Sequence, residues 1–315
     1  MKTQIALFDA HSFDKELVDY RLNSEESPFQ YTLYKSGDKP VGADLVFISD
    51  ELTQTRLPHF FPRRKRVAWL KESPVHTREI DAESLIRNFD VVITHRKDLI
   101  QLGPPFYRVD FSANWVYPSK EIPALKSKEK SVSFIGSIEH IQQHGYVLRQ
   151  EVATKLLKRS DVDCFGKGIN PIGSKLDALS DYRFSVAMEN TREDYYYTEK
   201  LIDCFLTETI PIYWGCPSIG EIFDLRGIIT FKTLPELESI IDNLSQEQYQ
   251  DLLPYVQENK RRCQEQRLSD YDRYLERCVE TAMTHRGGTG KPLRVWQLSK
   301  AMAGLRSLGL DKLGL

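Results

Sequence analysis

Short apolar runs alternate along the chain with longer stretches in which apolar residues recur every three or four positions. The runs are rich in Val, Ile and Phe, which favour strands, whereas the longer stretches have the period of amphipathic helices. The predicted strands are Gln4–Phe8, Leu45–Ser49, Arg66–Leu70, Asp90–Thr94, Ser131–Gly136, Asp161–Phe165, Arg183–Met188, Ile210–Trp214 and Ile228–Phe231. The predicted helices are Phe13–Asn23, Glu83–Arg87, Leu148–Lys158, Glu199–Thr207 and Leu234–Leu244. This alternation predicts an α/β protein with mainly parallel sheets.

The best candidate for a linker is the stretch Tyr117–Ser131, which contains two prolines and four lysines and has no clear period. It divides the chain into a predicted N-terminal domain, residues 1–125, and a predicted C-terminal domain, residues 126–284. Residues 285–315 form a basic tail with apolar residues at helical spacing. Such a tail either lies on an anionic membrane surface as a peripheral contact or packs as a terminal helix on the body of the protein.

Composition narrows the class of protein. The chain has 315 residues, of which 41% are hydrophobic and 28% charged, as in an ordinary folded protein. Its formal net charge of −2 gives no support to nucleic-acid binding through bulk positive charge. No apolar run reaches the length of a membrane-spanning helix or a secretory signal, and the five cysteines are scattered without a CxxC pair. We therefore expect a cytoplasmic protein with reduced cysteines.

One short acidic motif imitates a metal site. Asp161 and Asp163 are separated by one residue, as in the metal-binding DxD sequence of some sugar transferases. Short acidic pairs are common by chance, and this one lies within or beside a predicted strand. The sequence therefore predicts no metal site.

The densest group of polar and aromatic residues follows the seventh predicted strand. Glu189 and Asn190 come directly after that strand, a tyrosine-rich loop follows, and Thr198 is a candidate N-cap for the helix whose first turn contains Glu199 and Lys200. Open α/β sheets bind ligands at the carboxyl ends of their strands, and a helix N-terminus attracts phosphate. The pattern predicts a nucleotide or sugar-nucleotide pocket. A well-capped helix beside an exposed polar loop explains the same pattern equally well.

The segment Glu189–Ile219 reads ENTREDYYYTEKLIDCFLTETIPIYWGCPSI. It resembles the donor-binding signature of the α1,3/4-fucosyltransferases, glycosyltransferase family 10, in which a strand ending in F-E-N is followed by a loop with Tyr, by T-E-K, by an apolar helix and by a P-hydrophobic-Y/W-G-P segment. Met188 stands in place of the family's Phe, and Cys216 precedes the Pro. Two shorter matches occur in the family's order: CFGKG at Cys164–Gly168 and WLKESPVHT at Trp69–Thr77.

The resemblance implies a GT-B-like fold, with two Rossmann-like domains and the active site in the cleft between them. It also implies roles for individual residues. Glu72, in the E-S-P segment, is the implied catalytic base, and Arg149 and Lys200 are the implied pyrophosphate contacts. The further implied donor-binding residues are Glu189, Asn190, Tyr196, Thr198 and Glu199. Glu189 either orients the fucose or braces the loop.

The implied reaction is transfer of fucose from GDP-fucose to a hydroxyl of an acceptor glycan, with inversion at the anomeric carbon and an α1,3-type linkage. The partners are then a sugar nucleotide and an oligosaccharide acceptor, in glycan biosynthesis or protein glycosylation. No cofactor is required, because cationic side chains can take the place of a metal; a stimulatory divalent ion stays open. Two alternatives remain, a related transferase that uses another sugar nucleotide and a catalytically inactive glycan-binding protein.

Overall fold

The computed structural model describes residues 1–10, 27–35, 37–75, 77, 80–117, 127–136 and 144–287. The chain divides into two compact units. The first unit consists of Met1–Val109 and a segment that returns from Leu275, and the second unit is Asp110–Tyr274. The predicted helix Phe13–Asn23, the predicted domain boundary at residue 125 and all but the first residues of the predicted tail lie outside the described residues.

The first unit is built on a parallel six-stranded sheet. Its strands are β1 (Thr3–Phe8), β2 (Phe29–Tyr34), β3 (Leu45–Ser49), β4 (Arg66–Leu70), β5 (Val91–Thr94) and β6 (Phe106–Tyr107), in the order β2-β1-β3-β4-β5-β6. Helix α1 is Ala82–Asn88 and helix α2 is Lys97–Ile100. Every residue of β3 and β5 is buried, as expected for strands covered on both faces. The core therefore lies on both sides of this sheet.

The second unit is built on a parallel five-stranded sheet. Its strands are β7 (Lys130–Ile135), β8 (Val162–Phe165), β9 (Tyr182–Met188), β10 (Ile210–Trp214) and β11 (Ile229–Thr230), in the order β11-β10-β9-β7-β8. Its helices are α3 (His144–Leu156), α4 (Glu199–Leu206), α5 (Leu234–Asp242) and α6 (Gln246–Glu265), and helix α7 (Tyr271–His285) starts at its end.

Helix α4 connects β9 to β10 and is the most deeply buried of these helices. Its apolar residues Leu201, Ile202, Phe205 and Leu206 are all 0% exposed. Phe184 and Val186 of β9, the strand that precedes α4, belong to the same hydrophobic cluster as these helix residues. The buried stripe on α4 fixes the helix against the sheet, and with it the position of the polar residues at its N-terminus.

When strands are counted within each unit, the first sheet has the doubly wound order 2-1-3-4-5-6 and the second sheet has the order 2-1-3-4-5. In both orders the second strand lies on one side of the first strand and the third strand lies on the other, so the strand order reverses between the first and third strands. Open α/β sheets bind ligands at the carboxyl ends of the strands at this switch point. The switch point lies between β1 and β3 in the first unit and between β7 and β9 in the second.

The described strands agree with the sequence prediction to within one residue at each end for all nine predicted strands. Strands β2 and β6 and helices α2, α6 and α7 are additional elements that the hydrophobic pattern did not predict. Within the described ranges, no helix has both the length and the apolar character needed to cross a membrane.

Candidate functional site

A cavity of about 330 Å³ lies at the switch point of the second unit. Ile135 and Gly136, at the end of β7, and Ala187 and Asn190, at the end of β9, form part of its wall. Its charged lining residues, as far as the structure describes them, are Arg149, Lys167, Lys175, Glu199, Lys200 and Asp203. Four cationic groups against two carboxylates make the cavity electropositive. It is therefore suited to an anionic ligand.

Arg149 and Asn190 meet at one side of this cavity. Arg149 is on α3 and only 5% exposed. Its Nη2 donates hydrogen bonds of 2.8 Å to the carbonyl oxygen of Met188 and of 2.9 Å to Oδ1 of Asn190. The guanidinium is thereby held in a defined orientation at the end of β9, where a charged ligand group can meet it without further ordering.

Glu189 is fully buried and braces the start of helix α4. Its Oε1 accepts the backbone N–H of Thr198 at 2.8 Å, and its Oε2 accepts the Thr198 hydroxyl at 2.8 Å. The Nζ of Lys200 also lies 3.3 Å from Oε2. With an exposed fraction of 0%, Glu189 is not among the residues that line the cavity. Of the two roles left open for Glu189, these contacts favour bracing the loop.

Thr198 stands at the predicted N-cap position, but its side chain does not bond the helix backbone. The hydroxyl donates to Glu189 instead and accepts a hydrogen bond of 2.9 Å from Nζ of Lys200. Lys200 is thus held between a carboxylate and a hydroxyl while its side chain still reaches the cavity wall. The Thr198 side chain therefore supplies no cap to the N–H groups of the first helical turn.

An ion triad of Lys175, Glu199 and Asp203 also lines the cavity. Nζ of Lys175 lies 2.8 Å from Oδ2 of Asp203 and 3.1 Å from Oε1 of Glu199. Burial alone would raise the pKa of Glu199, but the ammonium groups of Lys200 and Lys175 outweigh it and hold this pKa at about 2. Burial raises the pKa of Asp203 to about 6 despite Lys175. Glu199 is therefore an anion at neutral pH and a strong hydrogen-bond acceptor.

Trp115 adds an aromatic surface beside this triad. Its backbone N–H donates a 2.8 Å hydrogen bond to Oδ1 of Asp203, and its ring centre lies 5.8 Å from Nζ of Lys175. The indole is 58% exposed. Asp203 thus has both oxygens occupied by donors, which offsets the desolvation of a carboxylate buried to 1% exposure.

The structure therefore brings together four of the seven predicted donor-binding residues as cavity lining, namely Arg149, Asn190, Glu199 and Lys200. Glu189 and Thr198 contact Lys200 but do not line the cavity themselves. Tyr196 is 6% exposed and does not belong to the lining.

Sequence reasoning missed Lys167, Lys175 and Asp203 as cavity residues. Asp203 had a readable signal, because it follows Glu199 by four positions and places a second acid on the same side of an otherwise apolar helix. No sequence pattern pointed to Lys175, since only the folded chain places its 3₁₀ turn, Lys175–Ala178, beside α4.

The two aspartates of the DxD-like motif accept hydrogen bonds from neighbouring side chains. Asp161 forms a paired contact with Arg159, whose Nε and Nη2 donate to its two oxygens at 2.9 and 2.7 Å. Oδ2 of Asp163 accepts the Tyr182 hydroxyl at 2.7 Å. Among the described residues, no cluster of three His, Cys, Asp or Glu side chains has the arrangement of a metal site.

Glu72 lies in the first unit, two residues beyond the end of β4, and is half-buried. Its backbone N–H donates a 3.1 Å hydrogen bond to Oδ1 of Asp50, the residue that follows β3. Glu72 is therefore held near the switch point of the first sheet.

The family assignment rests on the second unit. The family model for "Glycosyltransferase family 10 (fucosyltransferase) C-term" matches residues 125–276, a range that contains the whole cavity wall described above. Residues 125–276 are therefore similar to the glycosyltransferase family 10 domain. The family 10 resemblance predicted from Glu189–Ile219 is therefore confirmed.

A curated relative supports the assignment over a short range. The chain is 37% identical over 71 residues to the "Alpha-(1,3)-fucosyltransferase FucT" of Helicobacter pylori, which covers 22% of this chain and 15% of that protein. The chain thus matches only a small part of that relative's length.

Solved structures resemble the chain over most of its length. A crystal structure of an α1,3-fucosyltransferase has a TM-score of 0.58 at 19% identity and covers 90% of each chain. The Anabaena protein Alr3699/HepE, solved in complex with UDP-glucose, has a TM-score of 0.54 at 12% identity and covers 89% of this chain and 99% of that one. The likeness to these GT-B glycosyltransferases confirms the GT-B-like α/β fold class predicted from the sequence.

Proposed function

We propose that the protein is an inverting fucosyltransferase that transfers fucose from GDP-fucose to a hydroxyl of an acceptor glycan. The observation that carries the proposal is the electropositive cavity at the second switch point, which lies wholly within the matched family 10 segment. The α1,3-fucosyltransferase of similar fold has been solved with GDP and with GDP-fucose. An α1,3-type linkage is the corresponding proposal for the product.

The cavity residues are proposed to bind the diphosphate and the ribose. Arg149 and Lys200 carry full positive charges at the wall, and negative charge builds on the diphosphate as the bond to the sugar stretches. The carboxylate of Glu199, ionised at neutral pH, is a suitable acceptor for ribose hydroxyls, and Asn190 is a second hydrogen-bonding group. Lys167 and Lys175 add to the positive potential. The donor is thus bound by charges that are already oriented.

Glu72 is proposed as the base. The acceptor hydroxyl loses its proton to the Glu72 carboxylate while its oxygen forms a bond to the anomeric carbon of fucose. The bond from that carbon to the β-phosphate oxygen breaks, and its electron pair leaves with GDP. Attack from the face opposite GDP inverts the anomeric configuration. No group other than the two substrates and the base is consumed or changed in this step.

The reaction is proposed to proceed without a required divalent ion, because Arg149 and Lys200 neutralise the diphosphate. Activity measured after exhaustive chelation should equal the untreated activity. Recovery of transfer only after manganese is added back would contradict this proposal.

Donor identity is tested by the shift in thermal unfolding that a ligand causes when it binds only the folded protein. GDP and GDP-fucose should raise the unfolding temperature, and UDP-glucose should not. Lys200→Ala should abolish the shift with GDP, while Lys232→Ala, which removes an exposed lysine of the same unit, should preserve it. A shift with UDP-glucose alone would replace the proposal with a transferase for another sugar nucleotide.

Transfer is tested by product analysis with a panel of oligosaccharides. Glu72→Gln should retain GDP binding and lose transfer, since the amide cannot accept the proton. GDP binding without transfer to any acceptor in the wild-type protein would instead favour the inactive glycan-binding alternative.

A further inference from the structure

The switch point of the first unit contains a buried carboxylate that the proposed mechanism does not use. Asp50 follows β3 directly and is 0% exposed. Its backbone φ of +42° lies in the left-handed region, which aspartate and asparagine adopt more readily than other residues with side chains. A charged residue in this conformation, with no exposed surface, is expensive to maintain and is therefore a candidate for a specific role.

The side chain of Asp50 continues the sheet beyond its last backbone pair. The ladder between β3 and β4 runs from Val46–Arg66 to Ser49–Trp69, and there β3 ends. Beyond that pair, Oδ1 of Asp50 accepts the backbone N–H groups of both Lys71 and Glu72, each at 3.1 Å. One carboxylate oxygen thus holds the main chain that leaves β4, in place of a neighbouring strand.

The same main chain is also fixed through the side chain of Lys71. Its Nζ lies 3.0 Å from Oδ2 of Asp9, and the two side chains are 7% and 1% exposed. Oδ1 of Asp9 accepts the Ser49 hydroxyl at 2.9 Å. The residue that precedes Glu72 is therefore tied to the ends of both β1 and β3. A buried ion pair of this kind gives a fixed geometry more reliably than it gives stability.

The second oxygen of Asp50, Oδ2, is buried without a hydrogen-bond partner. Burial raises the pKa of Asp50 to about 7, against the opposing effects of the Glu72 N–H and of Lys71, with the Glu72 and Asp9 carboxylates adding to the rise. The protonated carboxyl and the carboxylate both offer Oδ1 to the two N–H groups. The contact to the Glu72 main chain therefore does not depend on which form is present.

We propose that Asp50 is a positioning residue for the transfer step, which holds the Lys71–Glu72 main chain so that the Glu72 side chain meets the acceptor hydroxyl in a fixed place. This inference rests on the proposed function, in which Glu72 is the base. Asp50 acts through a backbone hydrogen bond and takes no part in binding the donor, which the second unit is proposed to bind.

The test compares two substitutions that both suit the left-handed backbone. Asp50→Asn keeps an oxygen at the position of Oδ1, whereas Asp50→Gly removes the acceptor and leaves the backbone unstrained. Asp81→Ala is the matched control, because Asp81 also accepts two backbone N–H groups in the first unit, at 3.0 and 3.2 Å, but does so at the start of helix α1. The kcat and KM for GDP-fucose and the Kd for GDP are measured for all three, with the acceptor that the oligosaccharide panel identifies.

We expect Asp50→Gly to lower kcat by roughly 10- to 100-fold, as for a displaced catalytic group, with the KM for GDP-fucose and the Kd for GDP unchanged. Asp50→Asn should restore most of kcat, and Asp81→Ala should leave it unchanged. A wild-type kcat in Asp50→Gly overturns the inference, and so does an Asp50→Asn variant as impaired as Asp50→Gly. If Asp50→Gly is unfolded at the assay temperature, Asp50→Ser replaces it, because its hydroxyl is too short to bond both N–H groups.

The Glu72→Gln variant separates this inference from the proposed function. Wild-type transfer by Glu72→Gln removes the base assignment whatever the Asp50 variants do. Loss of transfer in Glu72→Gln together with an unimpaired Asp50→Gly overturns only the role of Asp50.

Discussion

The ammonium group of Lys175 lies 2.8 Å from Oδ2 of Asp203, and the two side chains come from different elements of the second unit, a 3₁₀ turn and helix α4. Asp203 is almost completely buried, whereas Lys175 keeps 24% of its side chain exposed at the cavity. The pair joins the 3₁₀ turn Lys175–Ala178 to the helix that supplies Glu199 and Lys200. Its contribution to stability and to ligand binding can be measured separately.

Lys175→Met should destabilise the protein by roughly 3 kcal/mol, because it leaves the Asp203 carboxylate buried without its cation. Urea unfolding measures the change. Lys130→Met is the matched control, since Lys130 pairs with Asp163 at 3.6 Å on the surface, where both side chains are about half exposed. An exposed pair of this kind contributes less than about 1 kcal/mol. Equal losses in the two variants would contradict the account of a buried pair.

Gly145→Ala should weaken GDP binding by about tenfold, or about 1.4 kcal/mol. A Cβ at Gly145 would overlap the backbone carbonyl of Asn190, so α3 or the end of β9 must move, and Arg149 lies on the same helix. Isothermal titration with GDP measures the effect. Gly173→Ala, where no atom lies within 4 Å of the added Cβ, should bind GDP like the wild type. Unchanged affinity in Gly145→Ala would mean that this contact does not position the site.

Glu189→Gln should reduce both stability and GDP affinity. The amide NH₂ of glutamine replaces one of two oxygens that now accept hydrogen bonds, and it then faces a donor in Thr198 or Lys200. Leaving a buried donor without an acceptor lowers the free energy of unfolding by about 1–3 kcal/mol. Urea unfolding and GDP titration check the two effects. Glu221→Gln, at an exposed position of the same unit, should change neither. A variant that loses GDP affinity at full stability would assign Glu189 to ligand binding instead of bracing.

Asp50 should make the stability of the protein depend on pH between about 4 and about 7. Burial raises its pKa in the folded chain from the ordinary 3.8 to about 7, so the folded state binds a proton that the unfolded state has lost. The free energy of unfolding of the wild type, relative to Asp50→Asn, should therefore fall as the pH rises through this window, by at most about 4 kcal/mol. Above the window the difference should be constant. Urea unfolding of both proteins at a series of pH values measures it; a flat difference would show that Asp50 ionises normally.

The parallel strands were predictable because each is buried by the elements around it and appears in the sequence as a continuous apolar run. Strands β3, β4 and β10 begin and end where the pattern predicted. Helix α4 was predictable for a related reason, since its apolar stripe has the helical period. The polar motif at its N-terminus could be located from the same pattern. The family resemblance then implied that this motif binds a sugar-nucleotide donor.

Two of the elements that the pattern missed have local sequence signals that disagree with their structure. Helix α6 spans Gln246–Glu265 with Pro254 in its interior, and proline normally marks the end of a helix. Strand β6 contains only two residues, too few for a period. Packing against the rest of each unit outweighs local preference in these cases.

The order of apolar and polar residues by itself determined that the chain would form parallel sheets with helices between them, and that a polar segment with several charged residues would follow β9. Tertiary structure alone decided which distant groups complete that segment. Asp50 holds the Glu72 main chain because the first sheet brings the ends of β3 and β4 to the same edge. Lys175 meets Asp203 because the folded chain places its 3₁₀ turn beside helix α4. Contacts of this kind depend on the distance between atoms in space, and no spacing along the chain encodes that distance.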